Sequence, residues 1–133
     1  MRAVFAAVLA SLLAASCSDP VAPASPTPVA PTTTERFSGR LDVGGSNVHA
    51  FTVSQVGRVQ VTLAGPPAGV RVALAIGTPL GAACQPASRV EAESSQSPQL
   101  SGTATTAGVY CVSVTATGSV TEAVVYTVAI AHS

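Results

Sequence analysis

The chain has 133 residues, a formal net charge of zero, no Trp and no Lys, and an apolar fraction of 47% supplied by Ala and Val more than by aromatics. Arg40, Arg58, Arg71 and Arg89 are scattered along it, so no cluster of cations exists to neutralise phosphates, and nucleic-acid binding is excluded. With a leader and a proline-rich stretch set aside, about one hundred residues remain to fold, the usual size of one domain with one core.

The chain opens with Met1-Arg2, a minimal positive region, followed by an uncharged run from Ala3 to Ser16 rich in Ala, Leu and Val. A membrane-spanning helix needs roughly twenty apolar residues, whereas a signal peptide needs about 7 to 15 followed by small side chains. Residues 1–16 are therefore expected to be a cleaved signal peptide. The string Leu13-Ala14-Ala15-Ser16-Cys17 resembles the bacterial lipobox. The resemblance implies cleavage between Ser16 and Cys17 and a diacylglycerol thioether on Cys17, whose thiol is the required nucleophile. Ala14 stands where the commonest lipobox has Leu. Ordinary signal cleavage after Ala14-Ala15-Ser16 is the competing reading, because those residues also satisfy a small-x-small rule.

Three cysteines is an odd number for an exported protein, and lipidation of Cys17 accounts for one of them. Cys84 and Cys111 then remain either to pair as a disulfide, which would persist outside the cytoplasm, or to sit as two separate buried thiols. Ser18 to Thr34 holds Pro20, Pro23, Pro26, Pro28 and Pro31 with no hydrophobic period. Residues 17–34 thus read as an anchor and an extended spacer. At about 3.1 Å per residue in polyproline II geometry, the spacer could hold the domain up to roughly 50 Å from the bilayer.

From residue 35 to 133 the pattern changes to short alternating runs between turn residues, which predicts an all-β domain. Phe37 to Leu41 is a strand closed by Gly44-Gly45, and Val48 to Val53 follows with His49, Phe51 and Val53 on one face, ended by Gly57. Val59, Val61 and Leu63 alternate with polar residues before Gly65-Pro66-Pro67 breaks the run. Val70, Val72, Leu74 and Ile76 repeat the pattern, and Gly77-Thr78-Pro79 reads as the next turn. Leu80 to Gln85 is a weaker strand carrying Cys84, and Pro86 to Pro98 reads as a polar loop. Leu100 to Thr105 is expected at an edge, Val109 to Thr115 places Tyr110, Val112 and Val114 opposite Cys111, and the last strand groups Val124, Tyr126, Val128 and Ile130. About eight such strands point to a single antiparallel β-sandwich.

Phe37-Ser38-Gly39, Phe51-Thr52-Val53, the runs Gly57 to Leu63 and Val70 to Ile76, Ala107-Gly108-Val109-Tyr110 and Tyr126-Thr127-Val128 together resemble the bacterial pre-peptidase C-terminal domain. The resemblance spans Arg36 to Ala131 and implies a jelly-roll-like sandwich appended to exported proteins. Some relatives bind calcium, which needs six to eight oxygen ligands. Here Gly69 and Arg71 stand where relatives often carry acids, and Asp42, Glu91, Glu93 and Glu122 are dispersed, so no calcium site carries over.

Chemistry is sparsely represented. His49 lies within a strand and reads as an ordinary residue at a strand end, while His132 falls at a frayed C-terminus; no Gly-x-Ser-x-Gly elbow accompanies either. Two His and two remaining Cys lack the close spacing that zinc sites use. Glu91 and Glu93 could in principle serve as a pair of carboxylates, but they lie in a Ser-rich segment without aromatic neighbours to hold a sugar. The expectation is a non-enzyme with no metal or cofactor. It would be tethered to a membrane through Cys17, the outer one on the strength of Ser18 after the cysteine, and would act as an interaction module on an envelope partner. A purely structural envelope protein and a carbohydrate-binding accessory domain are the alternatives.

Overall fold

An antiparallel sheet with one buried face needs side chains that alternate strictly between apolar and polar. The computed structural model describes residues 30–133, and in it that alternation becomes eight strands: β1 (Thr33–Leu41), β2 (Ser46–Val53), β3 (Gly57–Ala64), β4 (Val72–Leu80), β5 (Ala83–Ala92), β6 (Leu100–Ala104), β7 (Gly108–Ala116) and β8 (Val124–His132). They form two four-stranded sheets ordered β1-β8-β3-β6 and β2-β7-β4-β5. The antiparallel pairs are nested, β1 with β8, β2 with β7, β3 with β6 and β4 with β5. The chain is thus one long hairpin wrapped around a core, which is the jelly-roll arrangement. The all-β class, the eight strands and the two-sheet sandwich expected from the sequence are all present.

The inward faces carry Phe51 and Val53 from β2, Val59, Val61 and Leu63 from β3, and Val72, Leu74 and Ile76 from β4, all buried. Val112 and Val114 from β7 and Val124, Tyr126, Val128 and Ile130 from β8 complete the core. Branched side chains suit this role because their restricted rotamers cost little further entropy on a pleated surface, and each buried one contributes roughly 1.5–3 kcal/mol.

Several boundaries differ from the sequence reading, each for a physical reason. The strand β1 begins at Thr33, inside the segment read as spacer, because Thr33 and Thr34 pair with His132 and Ala131 of β8. Gly57 opens β3 and does not close β2. Gly77-Thr78-Pro79 is no turn: β4 runs through it to Leu80, and the chain reverses at Gly81, whose φ of 61° suits a tight hairpin. The ladder between β4 and β7 stops at Gly77, so Pro79 lies where no neighbour on that side needs its missing N–H. Pro86 to Ala92, read as loop, belongs to β5, with Pro86 accommodated beside a register shift at Ile76/Gly77 on an edge strand.

Candidate ligand-binding face and polar seam

Two edge strands, β1 and β2, lie side by side on one flank of the sandwich, and polar and aromatic groups close the gap between them. Tyr126 of β8 is fully buried, yet its phenol needs a partner there, since an unsatisfied buried hydroxyl is costly. The Asn47 Nδ2 donates to the phenol oxygen at 2.9 Å and also to the Arg40 carbonyl at 3.0 Å. The His49 Nε2 lies 2.7 Å from the same phenol. A chain in which Asn47 donates to the phenol and the phenol donates to Nε2 satisfies all three groups, and it requires the Nδ1–H tautomer of His49. Phe37 stacks on the His49 ring at 5.0 Å. Gly39 provides the room: a Cβ there would lie 2.7 Å from the Tyr126 hydroxyl and 2.9 Å from Cζ.

His49 therefore sits in the middle of β2, not at a strand end, and it serves to join the two sheets. Burial lowers its pKa from the usual 6.5, and burial raises that of Tyr126 above 10.0, partly opposed by the Asn47 hydrogen bond. Below pH 6.5 the unfolded chain protonates this imidazole while the folded one resists, so folding stability is complete above pH 6.5 and falls as pH drops through the depressed folded value. Melting temperatures taken from pH 7.5 to pH 5 should fall less in His49→Gln than in the wild type; parallel profiles would exclude the effect.

His132 corrects a second expectation. It is not frayed but buried at 4% exposure in β8, its Nε2 lies 2.8 Å from the Glu35 carboxylate, and its ring packs 5.3 Å from that of Phe51. The Ser133 carbonyl accepts from the Ser54 N–H at 3.0 Å, which ties β8 to the β2 side. The Nε2 atoms of both imidazoles face partners other than serine, His49 the Tyr126 phenol and His132 the Glu35 carboxylate. Glu91 lies in β5 opposite Ala73, and Glu93 forms an exposed pair with Arg71 at 3.7 Å. The two carboxylates of the sequence reading thus belong to different elements.

Cys84 and Cys111 form a disulfide, with Cα atoms 5.8 Å apart. Cys111 is paired between Ala50 and Gly77 on the outer face of its sheet, and it is nevertheless fully buried because the tip of the β4–β5 hairpin curls over it. The curl brings the Gln85 carbonyl against Gly77 so closely that no Cβ could fit. Ser16 and Cys17, the proposed cleavage and lipidation positions, lie outside the described residues, as does the rest of the leader.

The outer face of the other sheet holds a feature the sequence reading did not find. The register sets Thr34, Ala131 and Gln60 in one row across β1, β8 and β3, and Arg36, Ala129 and Thr62 in the next. Small side chains on the middle strand between longer ones on its neighbours make a trough along β8. One end is marked by the hydrogen bond between the Ser38 and Thr127 hydroxyls at 2.9 Å. Ser95, Gln96 and Pro98 extend the lining, and the groove encloses about 470 Å³, within the range of ligand sites. Gln99 holds this wall: its side-chain amide accepts from the Leu63 N–H at 2.9 Å and donates to the Leu63 and Glu93 carbonyls at 3.1 and 2.8 Å. It thereby continues the pairing of β3 where β6 has ended. A second cavity, of about 70 Å³ between Val59, Ile76, Gly102 and Tyr110, has room for little more than a water or two. The signal that could have revealed the trough is the run of small outward residues, Thr127, Ala129 and Ala131, on what proves to be a central strand.

Among solved structures, the fold is similar to a Yersinia pseudotuberculosis-derived mitogen (TM-score 0.56, 11% identity, covering 77% of this chain and 87% of that one). It is similar also to the pre-peptidase C-terminal domain of a Bacillus anthracis collagenase (0.53, 15%, 73% and 88%). A periplasmic inhibitor of g-type lysozyme from Aeromonas hydrophila matches at 0.53 and 15% identity, over 77% of this chain and 86% of that one. No family model matches the chain, and no curated protein matches it significantly. The expected likeness to the pre-peptidase C-terminal domain holds at the level of the fold.

Proposed function

We propose that the chain is a lipid-anchored, non-catalytic interaction module of the bacterial envelope, and that the trough along β8 is its binding surface. The observation that carries this reading is the trough itself: a recessed floor of Ala129 and Ala131, flanked by Arg36, Gln60 and Thr62, on a sheet face that no other part of the described chain covers beyond the 93–99 wall. The use of the same sandwich by a mitogen and by a lysozyme inhibitor supports an interaction role. The lipobox-like Ala14-Ala15-Ser16-Cys17 and the proline-rich spacer support display at a membrane, with Ser18 favouring the outer one.

Two experiments test the parts separately. Cys17→Ala should move the protein from the detergent phase to the aqueous phase on phase separation, and retention in detergent would refute the anchor. Ala129→Trp should fill the trough; affinity capture from native envelopes should then lose the component that the wild type retains stoichiometrically. Capture that is unchanged by the substitution would place the binding surface elsewhere. Repeated failure of the wild type to retain anything would favour the purely structural reading.

A further inference from the structure

Resting on that reading of the trough, we infer that its ligand is a carboxylate-bearing glycan strand. The trough runs along β8 between β1 and β3, and two strand spacings set its walls about 9–10 Å apart, the width of a single extended polymer. An extended peptide would bind a sheet by pairing its backbone with a free edge. No free edge lies within the trough, because β8 is paired along both sides, with β1 and with β3, and the unpaired edge of β1 lies outside it, on the flank beside β2. The outer edge of β3 is in turn covered by β6 and by the wall residues Ser95 and Gln99. What remains for recognition is side chains: the hydroxyls of Thr34, Thr62 and Ser95 and the amides of Gln60 and Gln96. Each hydroxyl both donates and accepts, and each amide carries both functions, which suits the many hydroxyls of a sugar polymer. The methyl groups of Ala129 and Ala131 offer the C–H face of a ring a shallow apolar floor.

Charge selects the acidic subclass. Arg36, Arg40 and Arg58 all project from this face, whereas Glu35 and the other alternate residues of β1 point inward. Arg40 is engaged by Asp42 at 3.3 Å. Among the described residues, Arg36 and Arg58 form no ion pair, and no carboxylate lines the groove. A planar guanidinium at the rim can meet a carboxylate with two parallel hydrogen bonds, which a lysine could not. No aromatic ring lines the trough, so affinity comes from hydrogen bonds and charge repeated along the polymer, and it should weaken with salt.

The test uses the full lipidated protein in neutral detergent micelles. Polygalacturonate, its methyl ester and polyglutamate are titrated in turn by calorimetry at low salt. Polygalacturonate should bind at least tenfold more tightly than the uncharged ester or the acidic peptide. Removing a charge-assisted contact with Arg36→Gln should weaken binding roughly tenfold. Ala129→Trp should abolish it, with Thr62→Trp taking its place if the first variant does not fold. Arg89→Gln, on the opposite sheet, should leave affinity unchanged. Failure of polygalacturonate to bind, equal binding of polyglutamate, or an equal loss in Arg89→Gln would overturn the inference. If polygalacturonate fails while Ala129→Trp still abolishes envelope capture, the glycan is wrong and the trough stands as the binding surface; if both fail, both fall.

Discussion

Tyr126→Ala should lower unfolding stability by about 3–5 kcal/mol, the range for truncating a large buried ring. The ring is fully buried and occupies the space left by Gly39, and with the sheets held apart by strand packing the site can collapse only in part. The substitution also leaves the His49 Nε2 without its partner and deprives Asn47 of one of its two acceptors. Tyr126→Phe separates the contributions: it keeps the ring and removes the hydroxyl, so about 1–3 kcal/mol should be lost. Urea unfolding measures both, with an unchanged dependence on denaturant showing that the native state alone is affected. A Tyr126→Ala protein within 1 kcal/mol of wild type would show that the seam is not coupled to the core.

Replacing Cys84 and Cys111 together by alanine should cost a comparable amount. The two residues are 27 positions apart, and opening a loop of that length releases about 3–4 kcal/mol of unfolded-state entropy in the chain-entropy model. The loss should have a local signature as well. Beyond Gly77 the β4–β5 ribbon no longer pairs with β7, so the disulfide is what holds its tip against the sheet. Amides in the tip, from Thr78 to Gln85, should therefore exchange with solvent faster in the double variant, well before global unfolding. Uniform exchange across the domain, or a stability within 1 kcal/mol of wild type, would count against the staple.

The prolines and glycines show where a local reading reaches its limit. Gly77, Pro79 and Pro86 carry strong turn chemistry, which taken locally predicts a turn and a loop. Their placement within strands depends on a bulge and on the absence of a neighbour to one side, both properties of the assembled sheet. The histidines make the same point. Nothing near His132 in the chain indicates Glu35, its partner 97 residues away, and nothing near His49 indicates the phenol of Tyr126. Tyr110 was legible in part: the Gly108-Val109-Tyr110 corner could be seen in the sequence, but the bond from its hydroxyl to the Thr106 carbonyl at 2.8 Å is visible only in the fold.

By itself, the sequence determined the inward faces of the strands other than β5, because a period of two is a local property that burial rewards wherever turn residues do not interrupt it. It limited the disulfide to Cys84 and Cys111, with two separate thiols as the alternative, because the odd cysteine had another explanation at the lipobox-like leader. Only the tertiary structure decided which strands are neighbours. Nested pairing over nearly the whole length of the domain, Thr33 with His132 at its extreme, is what sets Arg36, Ala129 and Thr62 in one row. The floor and flanks of the trough are written in three separated segments, each unremarkable on its own, and hydrogen-bond register is the physical agent that makes them one surface.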